Sequence, residues 1–252
     1  YGKNGAMRWI YVSPHLDDAV LSAGGLIYEQ TRAGLPVEIW TLMSGFPPEG
    51  TLSPLAQAIH YQWGFASADE TILARRAEDN LAASLVGAKT AHFDFLDCIY
   101  RRAVDGEWLY TTGVFDPPVA ADADLPDQIA AALSARLQPG DQVVCQLAVG
   151  HHVDHVLARR AVERLGRPLW YDVDLPYAFT RPEETATNTA GMKESLRRVT
   201  ESGFEAWLEA IQAYKSQISS IFESPEGLFA AYRAAWADQR GIGLWQVAAN
   251  ES

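Results

Sequence analysis

The sequence predicts a Rossmann-like, doubly wound α/β fold, in which a mostly parallel sheet carries helices on both faces and a helical extension follows at the C-terminus. Three observations predict it. Short apolar runs rich in β-branched and aromatic residues alternate with longer amphipathic segments, the mark of repeated βα units. Several amphipathic segments stop at a glycine (Gly34, Gly87 and Gly166), as helix C-termini do. Charged clusters also stand directly after two of the apolar runs, and in an open α/β sheet the carboxyl ends of the strands are where ligands bind.

Along the chain, strands are expected near 8–13, 37–44, 91–96, 142–149 and 168–173, with helices near 18–32, 70–86, 125–137 and 153–165. After about residue 190 the pattern changes: 192–222 and 225–237 read as helical, and GLWQVAA at 243–249 fits an edge strand or a tail. This extension is expected to pack on the same domain, so that 7–252 form one unit. Residues 1–6 precede Met7 and are read as a trimmed tail. No internal repeat is visible. Two irregular stretches, 45–66 and 98–124, are rich in proline, glycine and aromatics. Loops of that length in a compact domain tend to be functional or disordered, and both would emerge at the ligand edge as candidate walls of a pocket. Their aromatics Trp63, Phe65, Trp108 and Tyr110 suit sugar stacking and suit packing equally.

Composition narrows the function. With 48% apolar and 21% charged residues the chain is an ordinary globular protein. Its 20 basic against 32 acidic residues give a net charge of -12, which repels phosphate backbones and anionic lipid, so no nucleic acid partner is expected. Cys98 and Cys145 lack the spacing of a zinc knuckle or redox pair and are expected to be buried hydrophobes. No run of about 18 apolar residues is present to span a bilayer and no secretory pattern opens the chain, so a cytoplasmic protein is expected. A nucleotide-binding reading lacks a glycine-rich phosphate loop after the first strand.

The chemistry lies in two stretches. SPHLDDAVLSAGG, residues 13–25, places His15, Asp17 and Asp18 on the turn after the first strand, where Pro14 fixes the approach and Gly24 and Gly25 let the first helix lie close to the sheet. One aspartate there would be explained as a helix cap. Two beside a histidine ask for more, because charges at the end of a buried strand are costly to desolvate unless paired. GHHVDHVLARRAVERL, residues 150–165, repeats the arrangement after another apolar strand with His151, His152, Asp154 and His155, three of the six histidines in the chain. Two such clusters on one sheet edge point to a metal site. Two histidines and one carboxylate suit Zn²⁺ with an open position for water, and the same set also suits Fe²⁺. The implied reaction is metal-assisted hydrolysis, with a spare carboxylate to take the proton and a spare histidine for the oxyanion or leaving group.

The order P-H-x-D-D followed by H-x-D-H resembles the PIG-L / LmbE-like family of zinc-dependent N-deacetylases, from about Trp9 to Tyr177 and more weakly at AYKSQI, 213–218. The resemblance implies that His15, Asp18 and His155 ligate zinc and that Asp17 is the general base. It implies that His152 stabilises the oxyanion and protonates the amine, and that Asp154 tunes His152. His151 falls outside the frame. Arg75, in an R-x-x-E helix with Glu78, is implied to reach the polar head of the substrate, against a plain helical ion pair with Asp79. Asp97 is implied to hold sugar hydroxyls, against a loop cap. One departure stands out: enzymes of the mycothiol pathway carry a tyrosine two residues before the histidine matching His152, whereas this chain has Gly150 there, leaving the role open to Tyr100 or Tyr177.

The expected activity is therefore removal of an acetyl group from the nitrogen of an amino sugar or glycoconjugate, a small-molecule substrate. The alternatives are a metal-dependent amidase acting on a larger N-acyl or thiol conjugate, and a metal- or sugar-binding module without turnover. Against the module stands Asp17, an unligated base that pure binding does not need.

Overall fold

The computed structural model describes residues 7–221 and 224–248; the tail at 1–6 and residue 249 of the last expected segment lie outside the described residues. Five parallel strands run in the order β3-β2-β1-β4-β5: β1 (Trp9–Ser13), β2 (Val37–Thr41), β3 (Lys89–His92), β4 (Gln142–Gln146) and β5 (Leu169–Asp172). The β1 sequence is buried along its whole length, as expected of a parallel strand covered on both faces. Its side chains alternate: Trp9 and Tyr11 enter the core on one face, Ile10 and Val12 the core on the other.

Helices α1 (Asp18–Arg32) and α3 (Ala68–Leu85) cover the first face, α4 (Leu125–Ser134) and α5 (Val153–Glu163) the second. The strand order reverses between β1 and β4, which lie side by side with Val12 opposite Cys145. That neighbour relation brings residues 13–18 and 148–155 to one crevice although they are far apart in the chain. Both cysteines are buried and free.

Three regions differ from the sequence expectation. The stretch 45–66 contains a helix, α2 (Pro54–Trp63), closed at both ends: Ser53 Oγ accepts from the Ala56 amide (2.9 Å), Pro54 opens the first turn, and Gly64 ends it at φ 83°. After the short helices α6 (Tyr177–Thr180) and α7 (Pro182–Asn188), residues Met192–Arg198 form strand β6 rather than the start of a helix. β6 pairs antiparallel with β7 (Gly241–Val247), which pairs with β5, so the C-terminal segment extends the sheet as well as covering it. The edge position belongs to β6, not to the 243–249 run. Between the two strands lie α8 (Glu201–Gln212), α9 (Lys215–Ile221) and α10 (Pro225–Gln239). Gly24 and Gly25 serve α8 rather than the sheet: a Cβ at Gly24 would collide with the Trp207 indole, whose Nε1 donates to the Val20 carbonyl (2.6 Å). Among the described residues no helix is long and apolar enough to cross a membrane.

Candidate active site

The turn after β1 is wound by its own polar groups. The Ser13 hydroxyl donates to the His15 carbonyl (2.6 Å) and accepts from the Ala19 amide (3.0 Å), while the His15 amide donates to Asp18 Oδ2 (2.8 Å). Asp17 precedes α1, but its carboxylate does not cap the helix. It faces a cavity instead.

The turn after β4 is more contorted. Ala148, Gly150 and His151 have φ of 58°, 89° and 59°, a region that costs a non-glycine residue about 1–2 kcal/mol. Bonds from outside the turn hold it there: the Val149 amide donates to Asp174 Oδ2 (2.9 Å), the Gly150 amide to Glu184 Oε2 (2.8 Å) and the Val153 amide to the Val114 carbonyl (2.8 Å). His152 caps α5, its Nδ1 accepting from the Asp154 amide (3.2 Å). That leaves Nε2 for the proton and for the cavity.

The two turns converge on one oxygen. Asp18 Oδ2 lies 3.2 Å from His15 Nδ1 and 3.3 Å from His155 Nε2. Ligands at about 2.1 Å from a tetrahedral Zn²⁺ are about 3.4 Å apart, so these donors fit that ion. The outer nitrogens are braced as metal-binding histidines are: His15 Nε2 is 3.1 Å from Asp154 Oδ2, and His155 Nδ1 is 2.8 Å from Asp174 Oδ1. His152 stands in the same cluster, with ring nitrogens of all three histidines within 4.8 Å.

Asp154 sits differently from expectation. Its carboxylate turns away from His152 towards His15, the Cys98 amide (2.9 Å) and the Arg101 guanidinium (2.6 Å); only its backbone amide reaches His152. Cys98, His152 and Asp154 also bring donor atoms within 4.8 Å of one another. That second set is a poor cation site, because Arg101 already neutralises its carboxylate.

Electrostatics separate the two adjacent aspartates. Burial and the neighbouring Asp18 charge push Asp17 up to about 6, with Arg75 opposing. Burial acts on Asp18 in the same sense, but His155 and His15 outweigh it and hold the carboxyl well below the usual range. Burial, with His15 and His155 nearby, keeps His152 well below an ordinary histidine and therefore neutral.

The cavity measures about 800 Å³ and takes in His15, Asp17, Asp18, His152 and His155, with Arg75, Asp97, Trp63, Phe115 and Tyr177 among its walls. Arg75 NH2 is 3.7 Å from Asp17 Oδ2, and its guanidinium lies over the Trp63 ring at 4.5 Å. The helical pair with Asp79 is not formed, because Asp79 accepts from Thr41 (3.2 Å) and Tyr214 (3.0 Å) and pairs with His92 (2.8 Å). Glu78 accepts from the Ser216 amide and hydroxyl, tying α3 to the AYKSQI segment. Asp97 takes the loop-cap placement, Oδ1 accepting from the Ile99 amide (3.1 Å), while Oδ2 lies 3.7 Å from His15 Nε2 on the cavity wall. His151 points away, 63% exposed beside Glu184.

Of the four loop aromatics, Trp63 alone lines the cavity; Tyr110 is buried on Asp122 and Trp108 lies under Arg102. Tyr177 occupies the space beside Gly150, where a Cβ would come within 2.9 Å of its ring. Sequence reasoning missed Asp174, Arg101 and Phe115. For Asp174 a signal existed, since YDVD places two aspartates at the carboxyl end of a strand, on the same edge as the two motifs.

The family model for PIG-L, GlcNAc-PI de-N-acetylase, matches residues 10–165, which include both turns. The chain belongs to the PIG-L family. It is a metal-dependent N-deacetylase, a hydrolase of carbon–nitrogen bonds other than peptide bonds. Among solved structures, the zinc-inhibited form of teicoplanin deacetylase Orf2 is 29% identical, over 98% of this chain and 100% of that one, with a TM-score of 0.83. The A40926 pseudoaglycone deacetylase Dbv21 is 27% identical over 98% and 100%, with a TM-score of 0.74. The N,N'-diacetylchitobiose deacetylase from Pyrococcus horikoshii, 15% identical over 95% and 83% with a TM-score of 0.57, shares the fold. No match was found among curated proteins.

Proposed function

We infer that this PIG-L family protein removes an N-acetyl group from an amino sugar carried on a bulky glycoconjugate of glycopeptide type, with Zn²⁺ held by His15, Asp18 and His155. The observation that carries this reading is the convergence of two imidazole nitrogens on Asp18 Oδ2 beside an unligated, cavity-facing Asp17. The breadth of the cavity, its aromatic walls and the full-length likeness to two glycopeptide deacetylases support the substrate class. Fe²⁺ would suit the same donors.

When bound, the cation polarises the amide carbonyl and acidifies a water. Asp17 takes the proton of the attacking water, a task suited to a carboxyl pushed up to about 6. His152, neutral and accepting at Nδ1, presents Nε2–H to the oxyanion. It therefore serves as a hydrogen-bond donor rather than as the acid. The carbon–nitrogen bond then breaks, acetate keeps the water oxygen, and the amine leaves with the proton returned by Asp17. Tyr177, whose ring fills the space that a side chain at 150 would need, supplies a second donor to the oxyanion in place of the family tyrosine. Arg75 and Asp97 hold the sugar on either side of the reacting amide.

The test is amine release from three substrates by Zn²⁺-loaded protein: a simple N-acetylglucosaminide, an N-acetylglucosaminyl glycopeptide and a long-chain N-acyl analogue of the latter. Chelator-sensitive release fastest from the N-acetyl glycopeptide is expected. Release from the long-chain conjugate alone would replace this reading by the amidase, which the apolar walls at Leu21, Ile59 and Ile221 favour. Metal binding with no release from any of the three would leave the substrate class without support.

A further inference from the structure

The loop 98–124 carries one buried cation to the carboxylate behind His15. Arg101 projects from the loop into the core, where it pairs with Asp154 Oδ1 at 2.6 Å and with Asp122 Oδ2 at 2.9 Å. Asp122 closes the loop on itself by accepting from the Tyr110 hydroxyl (2.8 Å), which in turn accepts from the Val119 amide (3.2 Å). Asp154 has no exposure at all, and its other oxygen faces His15 Nε2 at 3.1 Å and the Cys98 amide at 2.9 Å. An ion with no access to water keeps its place only through its partners, so the orientation of Asp154 is set by Arg101 and the Cys98 amide. The carboxylate in turn holds the proton of His15 on Nε2 and leaves Nδ1, 3.2 Å from Asp18, for the cation.

We propose that Arg101 is a positioning residue of the metal centre: through Asp154 it fixes the ring and tautomer of His15, coupling the fold of the pocket-wall loop to metal affinity. The coupling rests on the reading of His15 as a ligand.

The experiment is chelator competition for Zn²⁺, with the visible spectrum of the Co²⁺ form, on wild type, Arg101→Met, Arg101→Lys, Asp154→Asn, Tyr110→Phe and His15→Ala. Outer partners of metal-binding histidines are worth about 10–100-fold in affinity. Arg101→Met and Asp154→Asn are each expected to lose that much and to shift the Co²⁺ bands, Arg101→Lys to lose less, and Tyr110→Phe to stay within about twofold. Wild-type affinity and bands in Arg101→Met would overturn the proposal, as would an equal loss in Tyr110→Phe, which would make the effect one of loop packing. If Arg101→Met does not fold, Arg101→Lys on the Asp154→Asn background decides: a residue acting through Asp154 adds nothing there, and an additive loss overturns the idea. His15→Ala separates the two readings, because undiminished affinity in that variant would remove His15 as a ligand, whereas a loss there with none in Arg101→Met would remove the coupling alone.

Discussion

The two histidines at the convergence point are braced by unlike means. Both show an inner nitrogen to Asp18 and an outer nitrogen to a buried carboxylate. The carboxylate behind His15, Asp154, is itself matched by a guanidinium and held well below the usual range by it, although burial pulls the other way. The one behind His155, Asp174, has the imidazole and the Val149 amide for partners and is raised by burial. One brace is a charge-compensated chain anchored in a loop; the other is a local clamp on a strained turn. The first makes its histidine dependent on remote packing, and the second makes its histidine dependent on the turn after β4.

The largest effect should come from removing the atom on which both braces converge. Asp18→Ala is expected to lose metal beyond the about 100-fold typical of an outer partner, and turnover with it. Asp17→Asn should keep the metal, by chelator competition, and lose about 10²–10⁴ in kcat. Normal turnover in Asp17→Asn would remove it as the base. Next in size is Tyr177→Phe, for which the loss of one oxyanion donor predicts about 10²–10³ in kcat with metal affinity unchanged. Gly150→Ala should mimic it by pushing the ring aside. A fall in metal affinity in Tyr177→Phe would instead give the ring a structural part.

Both turns were legible in the sequence because each carries its polar residues within six positions of the end of an apolar run, at Val12 and at Val149, and adjacency of β1 and β4 in a doubly wound sheet does the rest. The braces were not. Arg101 and Asp174 act across 53 and 19 positions in the chain on Asp154 and His155, and single arginines and aspartates carry no pattern. The helix α2 was hidden by the prolines and glycines around it, although Ser53-Pro54 and Gly64 are start and stop signals in their own right. MKESLRR at 192–198 reads as helix from its propensities and becomes a strand through pairing with β7, which no local pattern records.

A pair of variants sharpens the comparison of the braces. Asp154→Asn leaves Arg101 buried with half its counter-charge, and breaking a buried pair costs about 3–5 kcal/mol. Asp174→Asn takes a partner from His155, but an imidazole can give up its proton where a guanidinium cannot. Both should weaken Zn²⁺ binding by about 10–100-fold, but only Asp154→Asn should lower the melting temperature of the metal-free protein markedly. Equal melting temperatures would mean that Asp122 alone satisfies the guanidinium.

The pH dependence tests the clamp on His155 directly. In the metal-free protein burial lowers the pKa of this histidine, but Asp18 and Asp174 outweigh it and push it up to about 9 from 6.5. Its proton must leave before Nε2 can bind a cation. His15, pulled down by burial but held above an ordinary histidine by Asp154 and Asp18, must lose one too. Zn²⁺ affinity should then climb at least about tenfold per pH unit up to about 9. Stability without metal runs the other way. A pKa raised by folding contributes stability that is complete below 6.5 and is lost as pH rises through about 9. Melting curves of chelator-treated protein across that window should therefore fall while metal affinity rises. A flat metal-free melting temperature would show that His155 is already neutral in the fold, and that its clamp orients the ring without holding a proton against the metal.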